Sequence, residues 1–400
     1  MSSSSYRYGF KIPEHTQVAL EILRGSQSVR RVTTDVGEII NLGSGDPSFI
    51  TPPHVCEAAK GAIDAGKTHY ERNQDLKDAI CLKHRNQNGI HIDRTAGIVV
   101  TPGAHLALFD LMRAWIAPGD VVIMGTPGSY YLSNAMANGA VPVLVQLHPE
   151  RRFKMDPADV ARAITPQTKM ICLTTPEAPA ASVQEQADLA AIAELAIRHN
   201  LIVVSDELYE HINFGQTKHF SIGSIPGMED RTITVNGCSK AWAMTGWRVG
   251  WAVGPETLIE PVRAINHLNC ISLNSIAQFA ALAALTGPQD FLVEACAEYK
   301  RKRDILVSGV KRITGLDCQV PEGSYYVWVD MRQLGGTSLS FSRFVFEHEN
   351  VAFQPGTSFG PGGEGFLRFS FSPTEARLTE ALERVERATR NWRFGRGGLA

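Results

Sequence analysis

Short apolar runs that alternate with helical patterns are the feature that most constrains the fold of this chain. Segments such as 185–199 have apolar residues at helical spacing and lie between runs that read as strands. Strands separated by helices predict parallel pairing through crossovers, and hence an α/β domain. The strand-like runs are residues 97–102, 121–127, 170–176, 201–207, 232–237 and 249–255.

The C-terminal part of the chain has a different pattern, and the chain of 400 residues exceeds the usual length of one domain. We expect a large α/β domain over residues 46–287 and a small α+β domain that combines residues 1–45 with 288–400. The predicted elements of the small domain are a long helix over 288–315, strands over 324–331 and 366–372, and a closing amphipathic helix over 373–392.

Composition excludes several classes of protein. A formal net charge of −2 gives no basic field to hold nucleic acid or an anionic membrane. The four basic residues at 300–303 are predicted to form a solvated helix face. No window approaches 18 consecutive apolar residues, and the N-terminus has no apolar signal core. Seven cysteines without a CxxC pair favour free thiols in a reducing compartment, so we expect a cytoplasmic protein without a metal site.

Two glycine motifs resemble nucleotide-binding strings but stand in the wrong context. "GAIDAGKT" (61–68) matches the phosphate-loop pattern, which must follow a strand and open a helix. Here the preceding residues predict a helix that Gly66 ends. "GPGGEG" (360–365) precedes a strand late in the chain, and we interpret it as a turn.

Chemically useful residues follow several predicted strands, where open parallel sheets bind their ligands. "SDELYEH" carries Asp206 and Tyr209, "TPGAHLAL" carries Gly103 at a helix start, and "NGCSKAWAMTGWRVGW" carries Lys240 and Arg248. Each feature has an ordinary structural interpretation. Asp206 could be a helix cap, Gly103 could serve turn geometry, and Arg248 could pair with a surface carboxylate. Together they offer an anion cradle, a carboxylate and an amine.

That combination suits pyridoxal 5′-phosphate, which carries a phosphate, a ring nitrogen and an aldehyde. Here the sequence resembles the class I, fold type I aminotransferases, closest to the bacterial aspartate aminotransferase branch. The resemblance runs from "NLGSGDPSFITPPHV" (41–55) to "GEGFLRFSFS" (363–372). It implies a fold type I transferase, whose large domain has a mainly parallel seven-stranded sheet flanked by helices.

The resemblance also implies roles around the cofactor. Lys240 would form the internal aldimine and move the proton from Cα. Asp206 would hold the pyridine nitrogen, and Tyr209 would hydrogen-bond the phenolic oxygen. The turn formed by Gly103, Ala104 and His105 would bind the phosphate, with Arg248 beside it.

Further implied roles concern the substrate and a second subunit. Arg368 resembles the arginine that grips the substrate α-carboxylate, and Gly45 stands where the family has a substrate-contacting glycine. Tyr70 resembles the tyrosine that reaches the phosphate in the neighbouring subunit, which implies a homodimer with shared sites. An aromatic residue should stack on the ring; we favour Tyr130, with Tyr131 as the alternative.

The sequence departs from the family pattern at positions that bear on specificity. In "TPEAPAAS" (175–182), Ala178 stands where the family has an asparagine that binds the phenolic oxygen, and alanine has no side-chain donor. Glu177 adds negative charge beside it. His105 replaces a lysine that helps the closest branch to recognise acidic side chains, which puts dicarboxylate specificity in doubt. The loop after Tyr70 is shorter than the family's version, so the pocket is expected to be reshaped.

Three functions are compatible with these residues. We expect first an aminotransferase that moves the amino group of an L-amino acid to a 2-oxo acid by a ping-pong mechanism. Elimination, cyclisation or oxidation of an amino acid is the alternative, since altered surroundings at Ala178 could change the outcome. A non-catalytic regulator ranks last, because no helix-turn-helix pair is recognisable before residue 41.

Overall fold

The computed structural model describes residues 16, 17, 20, 38–93, 96–128 and 131–392 of the chain. Its strands are β1 (Ile40–Asn41), β2 (Ile98–Thr101), β3 (Val121–Thr126), β4 (Val141–Gln146), β5 (Thr168–Thr174), β6 (Ile202–Asp206), β7 (Thr232–Gly237), β8 (Gly250–Val253), β9 (Asp317–Cys318), β10 (Tyr326–Asp330), β11 (Val351–Ala352), β12 (Gln354–Pro355) and β13 (Phe366–Ser370).

From residue 38 onward, the first α-helices of the described residues are α1 (Pro53–Asp64), α2 (Gln74–Lys83), α3 (Ala104–Trp115), α4 (Tyr131–Ala137), α5 (Pro157–Ala163) and α6 (Gln186–Arg198). They continue with α7 (Cys238–Ala241), α8 (Glu256–Cys270), α9 (Ser275–Thr286), α10 (Asp290–Arg312), α11 (Ser338–Glu349) and α12 (Glu375–Asn391). Each of the six strand-like runs identified in the sequence contains a strand.

A seven-stranded sheet in the order β2-β8-β7-β6-β5-β3-β4 confirms the predicted fold class. The pairs from β7 through β4 are parallel, whereas β8 is antiparallel to both of its neighbours. Strand β4 was not among the predicted runs. It lies at the edge, contains Pro142 and is only half-buried, so its apolar signal is weak.

Helices cover both faces of this sheet, as a parallel sheet requires. Alternate residues of β5 show this directly. Met170 and Cys172 pack with α3 and α8, whereas Ile171 and Leu173 pack with α5 and α6. Helix α1 ends at Asp64 and Gly66 follows with a φ of +67°, so the phosphate-loop string is the end of a helix.

The C-terminal part of the chain forms a second, four-stranded antiparallel sheet in the order β12-β13-β10-β9. Helices α10, α11 and α12 pack against it around a separate apolar cluster. Strand β1 pairs with β11, which joins residues 40 and 41 to this part of the molecule. The division into domains at residues 46 and 288 stays a prediction.

The basic residues at 300–303 correct one prediction, because two of the four are buried in α10. Lys302 is 2% exposed and binds the Ser48 hydroxyl, the Ser372 carbonyl and the Glu298 carboxylate. Arg303 is 8% exposed and donates to the Pro321 carbonyl. The helix therefore turns these two cations toward the small sheet. Within the described ranges, no helix is both long and apolar enough to cross a membrane.

Candidate active site

The predicted site residues of the large sheet meet at its carboxyl edge. Asp206 is the last residue of β6, and Tyr209 lies three residues further along the chain. Lys240 lies in α7, which follows β7 directly. Because β6 and β7 are parallel neighbours, both strand ends point to the same edge of the sheet. The fold thus brings together side chains that are 34 positions apart in the sequence.

Lys240 has an unusual setting for a lysine. Its ammonium donates to the Gly45 carbonyl and lies 5.9 Å from the ring centre of Tyr209 and 5.7 Å from that of Tyr325. Burial lowers the pKa of Lys240, and the charges of Arg368 and Arg248 lower it further, outweighing the opposite effect of Tyr326 and Asp46. The uncharged, nucleophilic form of the amine is therefore more accessible than in a surface lysine.

Asp206 provides the carboxylate beside this amine. Burial raises the pKa of Asp206 to about 6, and the neighbouring Glu207 charge adds to the rise. The Leu208 amide, which donates to Asp206 at 3.1 Å, and the Lys240 charge act in the opposite direction. A carboxyl with this pKa remains mostly ionised at pH 7, so it can accept a hydrogen bond from a protonated ring nitrogen.

A candidate anion site lies at the start of α3. Gly103 has a φ of +86°, and no side chain caps the helix at this residue. Arg248 covers the turn, because a Cβ built at residue 103 would lie 2.5 Å from its Nη2 atom. Backbone N–H groups at a helix start, together with a guanidinium, suit a phosphate. Desolvation and the charge of Arg248 lower the pKa of His105 in the first turn of the helix, so its ring is neutral at pH 7.

Arg368 lies on β13 of the small sheet. Its guanidinium stacks between two rings, 4.1 Å from the centre of Tyr326 and 4.8 Å from that of Phe359. It is only 6% exposed and donates from Nη2 to the Gly43 carbonyl at 2.9 Å. Its buried Nε has no hydrogen-bond partner among the described residues. A buried cation held in this way favours an anionic ligand.

Two tyrosines complete the site although no site role was predicted for them. The Tyr326 hydroxyl lies 3.0 Å from that of Tyr209, and Tyr325 donates to the Gly45 carbonyl at 2.5 Å. The sequence signal that could have found Tyr326 is the alternation of side chains between the two faces of a strand. Trp328 pairs with Arg368 across the sheet, so Tyr326, two residues before Trp328, shares a face with Arg368.

The segment that departs from the family pattern is buried beside these tyrosines. Ala178 belongs to the same apolar cluster as Tyr209 and Tyr326, and its methyl group offers no hydrogen bond. Glu177 accepts from the Ala180 amide at 2.6 Å. Burial raises the pKa of Glu177 to about 8, against the hydrogen bonds of two amides and the charge of Arg368. Glu177 is therefore mostly uncharged at pH 7, and the expectation from the sequence that it adds negative charge beside Ala178 is wrong.

The remaining predicted residues fall in different places. Gly45 lies beside Lys240 and Tyr326, and a Cβ at residue 45 would come within 2.8 Å of the Tyr326 hydroxyl. Tyr70 is 81% exposed on its own chain. Tyr130, predicted to stack on the ring, lies outside the described residues. Tyr131, the alternative, is buried, with its hydroxyl donating to the Leu173 carbonyl at 2.8 Å.

These residues fit pyridoxal phosphate when each group is matched to one of its functions. Because residue 103 has no side chain, the Arg248 guanidinium packs directly over the turn, so a phosphate at this helix start would meet both the guanidinium and backbone N–H groups. Asp206 is suited to the ring nitrogen, and Lys240 offers an amine with a lowered pKa. The unpartnered Nε of Arg368 offers a further donor for an anionic substrate.

Comparison with known proteins agrees with this geometry. The family model for aminotransferase class I and II matches residues 37–385. The chain is similar to an aspartate aminotransferase of Pyrococcus abyssi, with 36% identity over 365 residues, which are 90% of this chain and 94% of that protein.

Solved structures show the same likeness in three dimensions. The aromatic aminotransferase of Pyrococcus horikoshii superposes with a TM-score of 0.86 at 35% identity and covers 91% of this chain and 98% of its own. The aspartate aminotransferase of Thermus thermophilus with maleate gives 0.84 at 36% identity, with 95% and 98% covered. These relatives do not favour elimination, cyclisation, oxidation or a regulatory role.

Proposed function

The chain belongs to the class I and II aminotransferase family and is an aminotransferase, and we propose that it works with pyridoxal phosphate at the site around Lys240. One observation carries the proposal. A partly buried amine with a lowered pKa and a buried guanidinium with an unpartnered nitrogen both lie close enough to Tyr326 for their charges to lower its pKa. An amino acid has an amine and a carboxylate on one carbon, which matches this pair of groups.

The chain's residues divide the work between holding and reacting. When bound, the cofactor would supply an electron sink for the substrate Cα. Asp206 would keep the ring nitrogen protonated, and Gly103, Ala104 and His105 with Arg248 would hold the phosphate. Arg368 would orient the substrate by its α-carboxylate, with Gly45 leaving space beside it. Lys240 would take the proton from Cα of the amino donor, which would leave as a 2-oxo acid after reaction with water. In the second half-reaction Lys240 would give a proton to Cα of the 2-oxo acid that accepts the amino group.

The donor is proposed to be an L-amino acid that need not be acidic. Relatives are named for aspartate and for aromatic amino acids, so either class is compatible with the fold. His105 stands where the resembled branch has a lysine, and its lowered pKa leaves it without positive charge at pH 7. Phe359 and Tyr326 present rings beside Arg368. Neutral or aromatic side chains suit this lining better than a second carboxylate.

A homodimer in the cytoplasm is part of the proposal. The support for a dimer is Tyr70, which is 81% exposed on its own chain and is proposed to reach the partner's phosphate site. All seven cysteines are free thiols, which suits a reducing compartment. Light scattering on the purified enzyme measures the state of assembly. A fully active monomer would contradict the shared site.

The experiment that tests the proposed function is a half-reaction. The purified holoenzyme is mixed with each common L-amino acid, without any 2-oxo acid, and its absorbance and the released products are followed. We expect one equivalent of 2-oxo acid per active site from the preferred donor. Ammonia release or oxygen consumption in place of the 2-oxo acid would contradict the proposal. Lys240→Ala serves as the control that cannot react.

A further inference from the structure

The hydroxyl of Tyr326 occupies a position that gives it a specific task. We propose that Tyr326 donates the hydrogen bond to the cofactor's phenolic oxygen that the resembled family takes from an asparagine, whose place Ala178 holds here. The inference rests on the proposed function, because it requires pyridoxal phosphate at Lys240. It adds a cofactor-binding residue from β10 to the set that the sequence indicated.

Geometry links Tyr326 to the residue already assigned to that oxygen. The hydroxyls of Tyr209 and Tyr326 lie 3.0 Å apart, and both rings belong to the buried cluster that contains Ala178. One acceptor atom can take hydrogen bonds from two hydroxyls at this separation. The two tyrosines together therefore restore the pair of donors that Tyr209 and an asparagine would form.

The position of the Tyr326 hydroxyl is fixed from several sides. Tyr326 pairs with Ser370 of β13, and its side chain is buried. Its ring stacks on the Arg368 guanidinium at 4.1 Å. On the opposite side Gly45 approaches so closely that a Cβ there would lie 2.8 Å from the hydroxyl. A donor held this rigidly loses little conformational freedom when a ligand binds.

The electrostatic surroundings strengthen the donor. Burial by itself raises the pKa of Tyr326, but the charges of Arg368 and Lys240 and the hydrogen bonds of Tyr209 and Tyr325 outweigh it, so the pKa is lowered. A more acidic phenol donates a stronger hydrogen bond to an oxygen that carries negative charge. The charges of Arg368 and Lys240 thus also make Tyr326 a better hydrogen-bond donor to the cofactor.

The neighbouring Tyr325 provides a matched control. It has the same side chain and the same buried setting, but its hydroxyl donates to the Gly45 carbonyl at 2.5 Å. Burial raises the pKa of Tyr325, which makes it the weaker donor of the two. Tyr325 is therefore engaged with a backbone carbonyl, whereas the hydrogen-bond partners of the Tyr326 hydroxyl are the hydroxyls of Tyr209 and Tyr325.

The test compares Tyr326→Phe with Tyr325→Phe in the holoenzyme. The readouts are the pH dependence of the visible absorbance that requires Lys240 and the dissociation constant of pyridoxal phosphate, measured by fluorescence quenching. Loss of a donor to a charged oxygen should raise the spectroscopic pKa by about one to two units and weaken cofactor binding about tenfold or more. Tyr325→Phe should shift the pKa by much less.

A second background separates this task from simple packing. If Tyr326 stands in for the asparagine, then Tyr326→Phe should shift the spectroscopic pKa less in Ala178→Asn than in the parent. An equal shift in both backgrounds would overturn the inference, as would a Tyr326→Phe enzyme that titrates like the parent. Absence of any Lys240-dependent band in the parent would instead overturn the proposed function together with the inference.

Discussion

Two groups of charged side chains in the interior of this molecule differ in whether opposite charges and other protein groups pair with them. The first, which we call the carboxylate cluster, consists of Lys83, Asn88, Glu207, Glu210 and His219. Lys83 pairs with Glu210 and donates to Asn88 at 2.7 Å, and the Asn88 amide donates to Glu210 at 2.7 Å and to Glu207 at 3.2 Å. His219 completes the cluster at 3.1 Å from Glu207.

Hydroxyls and a second amide complete the carboxylate cluster. Glu207 also accepts from Ser205 at 2.9 Å and Ser221 at 2.7 Å, and Glu210 accepts from Asn236 at 2.6 Å. Possible ligand atoms of Glu207, Glu210 and His219 lie within 4.8 Å of one another, a spacing that also suits a metal. Because protein donors already serve these oxygens, the cluster is explained as a structural network.

The cations of the candidate active site lack such partners. Lys240 and Arg368 donate to the backbone carbonyls of Gly45 and Gly43, and neither forms an ion pair with a carboxylate among the residues described. Arg368 is buried and Lys240 is partly buried, so the fold bears a desolvation cost for two cations that no opposite charge offsets among these residues. The comparison teaches that completed buried charges hold this fold together, whereas incomplete ones mark where a ligand belongs.

The largest expected effect comes from removing the amine of the active site. Lys240→Ala should reduce transamination below detection, because no other described residue offers an amine at this position. It should change the unfolding free energy of the apoenzyme by only about 1 kcal/mol, since no ion pair is lost. Kinetic assays and urea unfolding measure the two quantities. Lys60→Ala, at an exposed ion pair, is the control. A strongly destabilised Lys240→Ala protein would contradict the proposed difference between the active-site cations and the carboxylate cluster.

Breaking the carboxylate cluster should have the reverse signature. Lys83→Met leaves the Glu210 carboxylate buried without its cation, which should lower the unfolding free energy by about 3–5 kcal/mol. The double variant Lys83→Met with Glu210→Gln should recover part of that loss, because the stranded charge is gone. Urea unfolding of both apoenzymes measures the effect. A single variant as stable as the parent would show that the cluster contributes nothing to the fold.

A smaller effect concerns the pH dependence set by Glu177. Its folded pKa of about 8 lies above the ordinary value, so its contribution to stability is present below that ordinary value and is lost as pH rises toward 8. Glu177→Gln should remove this loss, on the order of 3 kcal/mol between about pH 5 and 8. Urea unfolding of the apoenzymes across that range measures it. Parallel pH profiles for parent and variant would contradict the assigned pKa.

Much of the large sheet could be predicted from the sequence because its signals are local. Apolar runs such as 201–207 and helical spacing such as 185–199 are visible without any tertiary information. Strand β4 was missed because an edge strand with Pro142 has only a weak apolar run. Lys302 was misjudged because a run of basic letters does not show which face of α10 packs against the small sheet.

The candidate site was predictable wherever a residue type is rare in its context, as with Lys240 in an apolar stretch or Asp206 after a buried strand. Tyr326 was missed because a tyrosine in a strand is an ordinary core residue by sequence. Its importance arises from long-range contacts with Tyr209 and Arg368, more than 40 positions away on either side. Such contacts depend on how the two sheets are placed relative to each other, and the periodicity of apolar residues in the sequence does not show this.

The antiparallel strand β8 has a consequence for how the site assembles. It pairs directly with β7, so residues 238–249 form one short connection that carries both Lys240 and Arg248. A parallel neighbour would have needed a longer crossover. Closing so short a loop costs little chain entropy, and its contacts join residues that are near each other in the sequence. The Lys240 amine and the Arg248 guanidinium therefore belong to one local folding unit, whereas Arg368 must arrive from the far end of the chain.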